Sequence, residues 1–150
     1  MEFTRTGSAE WHGGIKDGKG MISTESGALA GYPYGFKSRF EGQQGSNPEE
    51  LIGAAHAACF SMALSLVLGE AHLVANWIKT TAAVTIAERD GGYLITCISL
   101  TVNAEIPGIE KDLFDRLVGQ AKDSCPVSKL VNAGILLDAT LSKPNGSSHR

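Results

Sequence analysis

The sequence has no pair of cysteines at C-x-x-C spacing, no phosphate-binding glycine loop, no dinucleotide fingerprint and no internal repeat. These absences remove the usual nucleotide-binding classes and the redox motif of two closely spaced thiols. It also lacks an excess of either charge. Thirteen basic and 16 acidic residues are interspersed, for a net charge of −3. That argues against a nucleic-acid surface and against a polybasic membrane anchor. The opening "MEFTRTGSAEWHG" alternates and carries charge early, so no signal peptide is expected there. The three cysteines, Cys59, Cys97 and Cys125, are an odd number, which suits a reducing cytoplasm better than a secreted disulfide scaffold. At 150 residues the chain is expected to form one domain, 1–150, with 144–150 as a loose tail.

One stretch lacks charge altogether: residues 51–68 hold no Asp, Glu, Lys or Arg. A helix start precedes it. Asn47 suits the N-cap, Pro48 the first helical position, and Glu50 the third position of a capping box. The helix is predicted to end near Gly69 and to be buried on most sides, since it is apolar nearly all round. Its length meets the lower limit for a membrane span. Its Ala, Gly, Ser and His content favours a core helix over that reading. A chain this small does not readily cover such a helix alone, whereas a second copy does, so a homodimer is expected.

Around this helix the periodicity predicts strands at 3–11 and 20–24, a loop at 26–35, and a short strand or extended segment at 36–40. Residues 77–88 and 93–104 alternate like a hairpin about "RDGG". Ile78, Thr80, Ala82, Val84 and Ile86 share one face, as do Leu94, Thr96, Ile98, Leu100 and Val102. An amphipathic helix is predicted over 110–124, a short helical turn from Pro126, and a last strand over 134–141. Strands, helix, strands, helix and strand in that order predict an α+β fold with antiparallel sheets.

Two cysteines have settings that bear on chemistry. Cys125 precedes Pro126 and is the predicted N-cap of the short helix. The positive helix end lowers a thiol pKa there, and Lys122 and Lys129 are near in sequence. The plainer alternative is a buried turn cysteine. Cys59 lies mid-helix, where a thiol is commonly a small core hydrophobe. To be reactive it needs a separate cation. Of the five arginines, Arg89 falls in a hairpin turn, Arg116 on an exposed helix face, and Arg150 in the tail. Arg39, among aromatic residues just ahead of the helix, is the best remaining candidate, with Glu49 as its bidentate partner. Glu49 and Cys59 are about 15 Å apart on a straight helix, so they share a site only through Arg39 or through a break near Gly53. His56, one turn before Cys59, is read first as a satisfied core histidine. A base, or half of a metal site with Cys59, are its other readings. Cys97 is read as structural.

"GSNPEELIGAAHAACF", followed further on by "SCPVSKL", resembles the OsmC/Ohr family of osmotically inducible and organic-hydroperoxide-resistance proteins. The resemblance runs from "AEWHGGIKDGKG" through "PYGFKSRFEG" to the last strand, and "HAACFSMALS" is closer to the OsmC branch. It implies an OsmC-like fold, an intertwined α+β homodimer with active sites at the subunit interface. It implies a cytoplasmic thiol peroxidase acting on organic hydroperoxides. By that likeness Cys59 attacks the peroxide and becomes a sulfenic acid, Cys125 resolves it to a disulfide, and Arg39 with Glu49 holds the thiolate. No bound cofactor or metal is implied; an external dithiol reductant is, such as a lipoylated protein. The ending "NGSSHR" departs from the family pattern. Phe60 and Met62 beside Cys59 favour an alkyl or aryl hydroperoxide over hydrogen peroxide. The competing expectation is a non-enzymatic redox sensor, or a stress-induced binding protein, that uses the same disulfide as a switch.

Overall fold

The structure is a computed structural model that describes residues 1–144. The expectation of a loose tail therefore falls almost wholly outside the described residues. The chain contacts divide into two compact units, Met1–Leu51 and Ile52–Arg150.

The first unit is built on a three-stranded antiparallel sheet in the order β1 (Gly7–His12), β2 (Lys19–Thr24), β3 (Tyr32–Tyr34). Its tightest point is Gly20. The rings of Trp11 and Tyr34 are 5.6 Å apart, and a Cβ at Gly20 would come within 2.3 Å of Tyr34 and 2.8 Å of Trp11. Only glycine lets the two rings meet over the strand. Two expectations change here. The segment 26–35 is not all loop, because Tyr32–Tyr34 pairs with β2. Residues 36–40 are not extended but form a short helix, α1 (Phe36–Phe40). Its start is fixed by Ser38, whose hydroxyl accepts from the Gly35 N–H at 2.9 Å and donates to the Ser46 carbonyl at 2.8 Å. Phe36 and Phe40 then lie one turn apart with ring centroids separated by 5.0 Å, a pairing that helical spacing permits and a strand does not.

Helix α2 (Pro48–Glu70) runs unbroken for 23 residues. Asn47 Oδ1 accepts from the Glu50 N–H at 2.8 Å, as an N-cap does. The Glu50 carboxylate takes the Ser46 hydroxyl at 2.7 Å, one residue before the cap. The helix is long and apolar enough to cross a membrane, but one side of it is the core of the second unit. Phe60, Leu64 and Leu68, four residues apart, are fully buried with Ile98, Leu100 and Val102. Full burial of each large side chain contributes about 1.5–3 kcal/mol. A Cβ on Gly53 would meet the Ala82 carbonyl at 2.7 Å, so glycine is what lets the helix lie this close to its strand. The expectation of burial on most sides is met on this side alone. Ala54, Ala58, Met62 and Leu66, also four apart, are exposed, Met62 at 76% and Leu66 at 63%.

The sheet under α2 has the order β4 (Trp77–Arg89), β5 (Gly92–Glu105), β6 (Gly134–Ser142). The β4–β5 turn is Asp90-Gly91, with φ of 50° and 80°. Positive φ at both positions is the type I′ turn that matches strand twist. Thr85 pairs with Cys97 and Ile86 with Ile95, which leaves Thr96 as a bulge. The bulge inverts the expected alternation of β5 only on its Leu94 side, while Ile98, Leu100 and Val102 keep the buried face expected for them. Ile95 packs on the core, while Leu94, expected to face inward, is 57% exposed. A further departure is that β6 runs parallel to β5 rather than antiparallel. The chain returns to the sheet through helices α3 (Lys111–Ser124) and α4 (Pro126–Leu130), and a crossover of this kind delivers a parallel strand. Helix α3 buries Phe114, Leu117, Val118 and Ala121, while Leu113, expected on the same face as Leu117 and Ala121, is only partly buried.

Candidate active site

Cys125 is the hinge between α3 and α4. Its N–H closes α3 on the Ala121 carbonyl at 2.9 Å, and its carbonyl accepts from the Lys129 N–H at 3.1 Å to open α4. Pro126 enforces both events. It holds Cys125 extended, at φ −63° and ψ 119°, and it begins α4 where a missing N–H costs nothing. The sulfur is wholly buried. Burial pushes its thiol pKa up. The Ser128 N–H, the Cys59 thiol, the Ser128 hydroxyl and the Val127 N–H all favour the thiolate, and together they bring it below the ordinary value. The Cys125 side chain makes no capping hydrogen bond to α4.

Cys59 lies mid-way along α2 and is half-buried, so it is the more accessible of the two. Burial pushes its pKa up, the Val127 N–H opposes that, and Cys125 adds to the rise, so it ends above the ordinary value. The two thiols are thus shifted in opposite directions, Cys59 upward and Cys125 downward. Both are free thiols, as is Cys97. Cys97 lies on β5 with its sulfur 3.8 Å from the Ser99 hydroxyl.

His56 is fully buried one turn before Cys59. Its Nε2 is 2.8 Å from Ser128 Oγ, which ties α2 to the first turn of α4. Burial lowers its pKa. The expectation of a satisfied core histidine is half met, because Nδ1 is buried with no hydrogen-bond partner among the described residues. The sequence reading missed Ser128. Its place three residues after an N-cap cysteine was visible in "CPVSKL", but not the histidine that meets it. Among the described residues no group of three His, Cys, Asp or Glu side chains is placed to hold a metal ion.

The other expected pair lies in the first unit. Arg39, on α1, donates from Nη2 to Glu49 Oε1 at 2.6 Å and from Nε to both carboxylate oxygens at 3.1 Å. The carboxylate is buried while the guanidinium is about a third exposed, and it stacks 5.1 Å from the centre of the Phe40 ring. Charge-assisted bonds in a fork and an aromatic face fix this cation in one place. The structure therefore brings Cys59 to Cys125 and Arg39 to Glu49. The unbroken α2 rules out a break near Gly53 as the link from Glu49 to Cys59.

Two free thiols, Cys59 half-buried and Cys125 buried, that shift each other's pKa on an α+β frame are the arrangement of a thiol redox protein. The family model for OsmC-like proteins matches residues 41–140, and the chain belongs to that family. It is 54% identical over 141 residues to the peroxiredoxin OsmC of Escherichia coli (strain K12), covering 94% of this chain and 99% of that one. It is 32% identical over 117 residues to the organic hydroperoxide resistance protein OhrB of Bacillus subtilis (strain 168), covering 77% and 84%. The crystal structure of the Bacillus subtilis OhrB superposes with a TM-score of 0.66 at 26% identity, over 91% of this chain and 98% of that one.

Proposed function

We propose that this protein is a cytoplasmic thiol peroxidase that reduces organic hydroperoxides, with Cys59 as the nucleophile and Cys125 as the resolving thiol. The observation that carries the reading is a half-buried and a buried free thiol, each shifting the other's pKa, in a chain of the OsmC-like family. The Cys59 thiolate attacks the terminal peroxide oxygen, the O–O bond breaks, and the alkoxide takes a proton and leaves as the alcohol. Cys59 is left as a sulfenic acid. The Cys125 sulfur then attacks the Cys59 sulfur, the S–O bond breaks, and hydroxide leaves and is protonated to water. A dithiol such as a lipoylated protein restores both thiols by two exchange steps.

Arg39, aligned by Glu49, is the cation assigned to the Cys59 thiolate. It meets the need created by burial, which alone keeps Cys59 protonated. The protein acts as a homodimer. The exposed line of Ala54, Ala58, Met62 and Leu66 on α2 supports this, since an apolar stripe of that length favours a covering partner. The family match, residues 41–140, starts within the first compact unit and continues through most of the second, which supports reading 1–150 as one OsmC-like domain.

The test is steady-state consumption of cumene hydroperoxide and hydrogen peroxide with a dithiol reductant. Turnover should favour the organic peroxide and vanish in Cys59→Ser. A protein that oxidises once and then stops, with dithiol present, is a sensor and not a peroxidase.

A further inference from the structure

We propose that a cavity in the first unit is a binding site for a small organic dianion, a flat apolar body that carries a phosphate group. The cavity measures about 690 Å³ and is lined only by residues between Lys16 and Gln44, so it lies wholly inside Met1–Leu51. Small-molecule sites commonly enclose about 300–1,000 Å³. None of the residues assigned to the peroxide reaction lines it, and the site goes beyond the peroxidase reading.

The first support is charge. Three lysines from three places in the chain line this one cavity: Lys16 in the β1–β2 turn, Lys19 at the start of β2 and Lys37 in α1. A single carboxylate, Asp17, opposes them, which leaves a surplus of two positive charges. The whole chain carries −3, so this surplus is local. Among the described residues none of the three lysines is in an ion pair. Like charges gathered without a counter-ion repel, and an anion placed among them removes that cost. Two charges on one phosphate match a surplus of two better than a single carboxylate does. The second support is the remaining wall. Pro33, Tyr34 and Phe36 also line the cavity, and rings of this kind cover a flat apolar body. The Gln43 and Gln44 amides add neutral donors for phosphate oxygens.

The third support is that the walls are fastened by the fold itself. The Gly18 N–H donates to the Gly14 carbonyl at 2.8 Å and closes the turn that carries Lys16 and Asp17. The Gln43 N–H donates to the Lys37 carbonyl at 3.1 Å, and the Ser46 N–H to the Pro33 carbonyl at 2.9 Å, so the glutamine loop is tied to α1 and β3. Tyr34 is braced by Trp11, with 5.6 Å between the rings. A site that is already formed loses less on binding than one that must order itself. The three lysines are exposed, so salt screens them, and the apolar body has to supply part of the affinity.

Isothermal titration of the intact protein with phenyl phosphate, benzoate, phenol and inorganic phosphate tests this, at about pH 8, where a phosphate monoester is a dianion. Phenyl phosphate should bind about tenfold or more tightly than each of the others, which lack one charge, both charges or the ring. Each of Lys16→Gln, Lys19→Gln and Lys37→Gln should weaken it about two- to fivefold, as loss of an exposed charge pair does, and the triple variant should abolish it. In Trp77→Phe, Trp11 is the one tryptophan left, and phenyl phosphate should change its fluorescence through Tyr34. No binding of phenyl phosphate at millimolar concentration overturns the site. Equal binding of phenol or benzoate overturns the match to two charges, and equal binding of inorganic phosphate overturns the role of the rings. Undiminished binding in the triple variant overturns the assignment to this cavity. Turnover of cumene hydroperoxide in the triple variant should stay within about twofold of the parent. A turnover that falls together with binding would make the cavity part of the peroxide site and overturn its separateness.

Discussion

The two charged regions of this molecule are built on opposite plans. At Arg39 and Glu49 a formal positive charge meets a formal negative one through a forked set of hydrogen bonds, beside an aromatic ring. At Cys59 and Cys125 two thiols, neutral groups by nature, are shifted in opposite directions by burial, by each other, by backbone N–H groups and by a serine hydroxyl. Dipoles of that kind suffice for Cys125, which sits at a helix start. They do not suffice for Cys59, which sits mid-helix, and burial leaves it protonated. The comparison teaches that each region holds what the other lacks: one a fixed cation with no thiol, the other a thiol that needs a cation.

The most severe way to break the comparison is to remove the cation. Arg39→Ala should raise the apparent pKa of Cys59 and slow peroxide attack by about tenfold or more, each pKa unit being worth about 1.4 kcal/mol. Glu49→Gln should do less harm, because it removes the aligning partner and leaves the charge. Alkylation rate of Cys59 against pH, in a Cys125→Ser background, measures both. An unmoved curve in Arg39→Ala would mean that something else holds the thiolate.

A second contrast lies within α2. Leu64→Ala, on the buried side, should cost about 2–5 kcal/mol in denaturant melts. Leu66→Glu, one half-turn away on the exposed side, should instead shift sedimentation from dimer to monomer. A stable parent monomer at micromolar concentration, fully active, would remove the need for a covering subunit.

The acid side gives a smaller effect. Burial depresses the His56 pKa below the ordinary 6.5. The unfolded chain therefore takes up this proton near pH 6.5 while the folded chain does so only further down. The stability from His56 is present above about pH 6.5 and is lost as pH falls through the folded value. His56→Gln should flatten that arm of the stability curve relative to the parent. Smallest of all, Cys97→Ser should leave turnover within about threefold, since surface-side changes away from a site cost little.

Much of this was legible from residue order. The helix start at Asn47–Pro48, the Asp90-Gly91 turn and the stripe on α3 are local chemistry, and local chemistry is what a sequence displays. The Arg39–Glu49 pair was legible by elimination among five arginines. What was not legible needed a partner distant in sequence. The α1 helix depends on Ser46 receiving the Ser38 hydroxyl. The inverted face at Leu94 depends on a bulge that no alternation of residues signals. The parallel β6 depends on how α3 and α4 return to the sheet. His56 and Ser128 are 72 residues apart, so neither announced the other.

The account depends most on the order in which the sulfurs react, because the Cys59 thiol is shifted up and the Cys125 thiol down. The direct measurement is dimedone trapping followed by tandem mass spectrometry, at millisecond intervals after one equivalent of cumene hydroperoxide. Dimedone should label Cys59 first, and the label should give way to a Cys59–Cys125 disulfide with Cys97 still reduced. First labelling at Cys125, or a disulfide that includes Cys97, would contradict it.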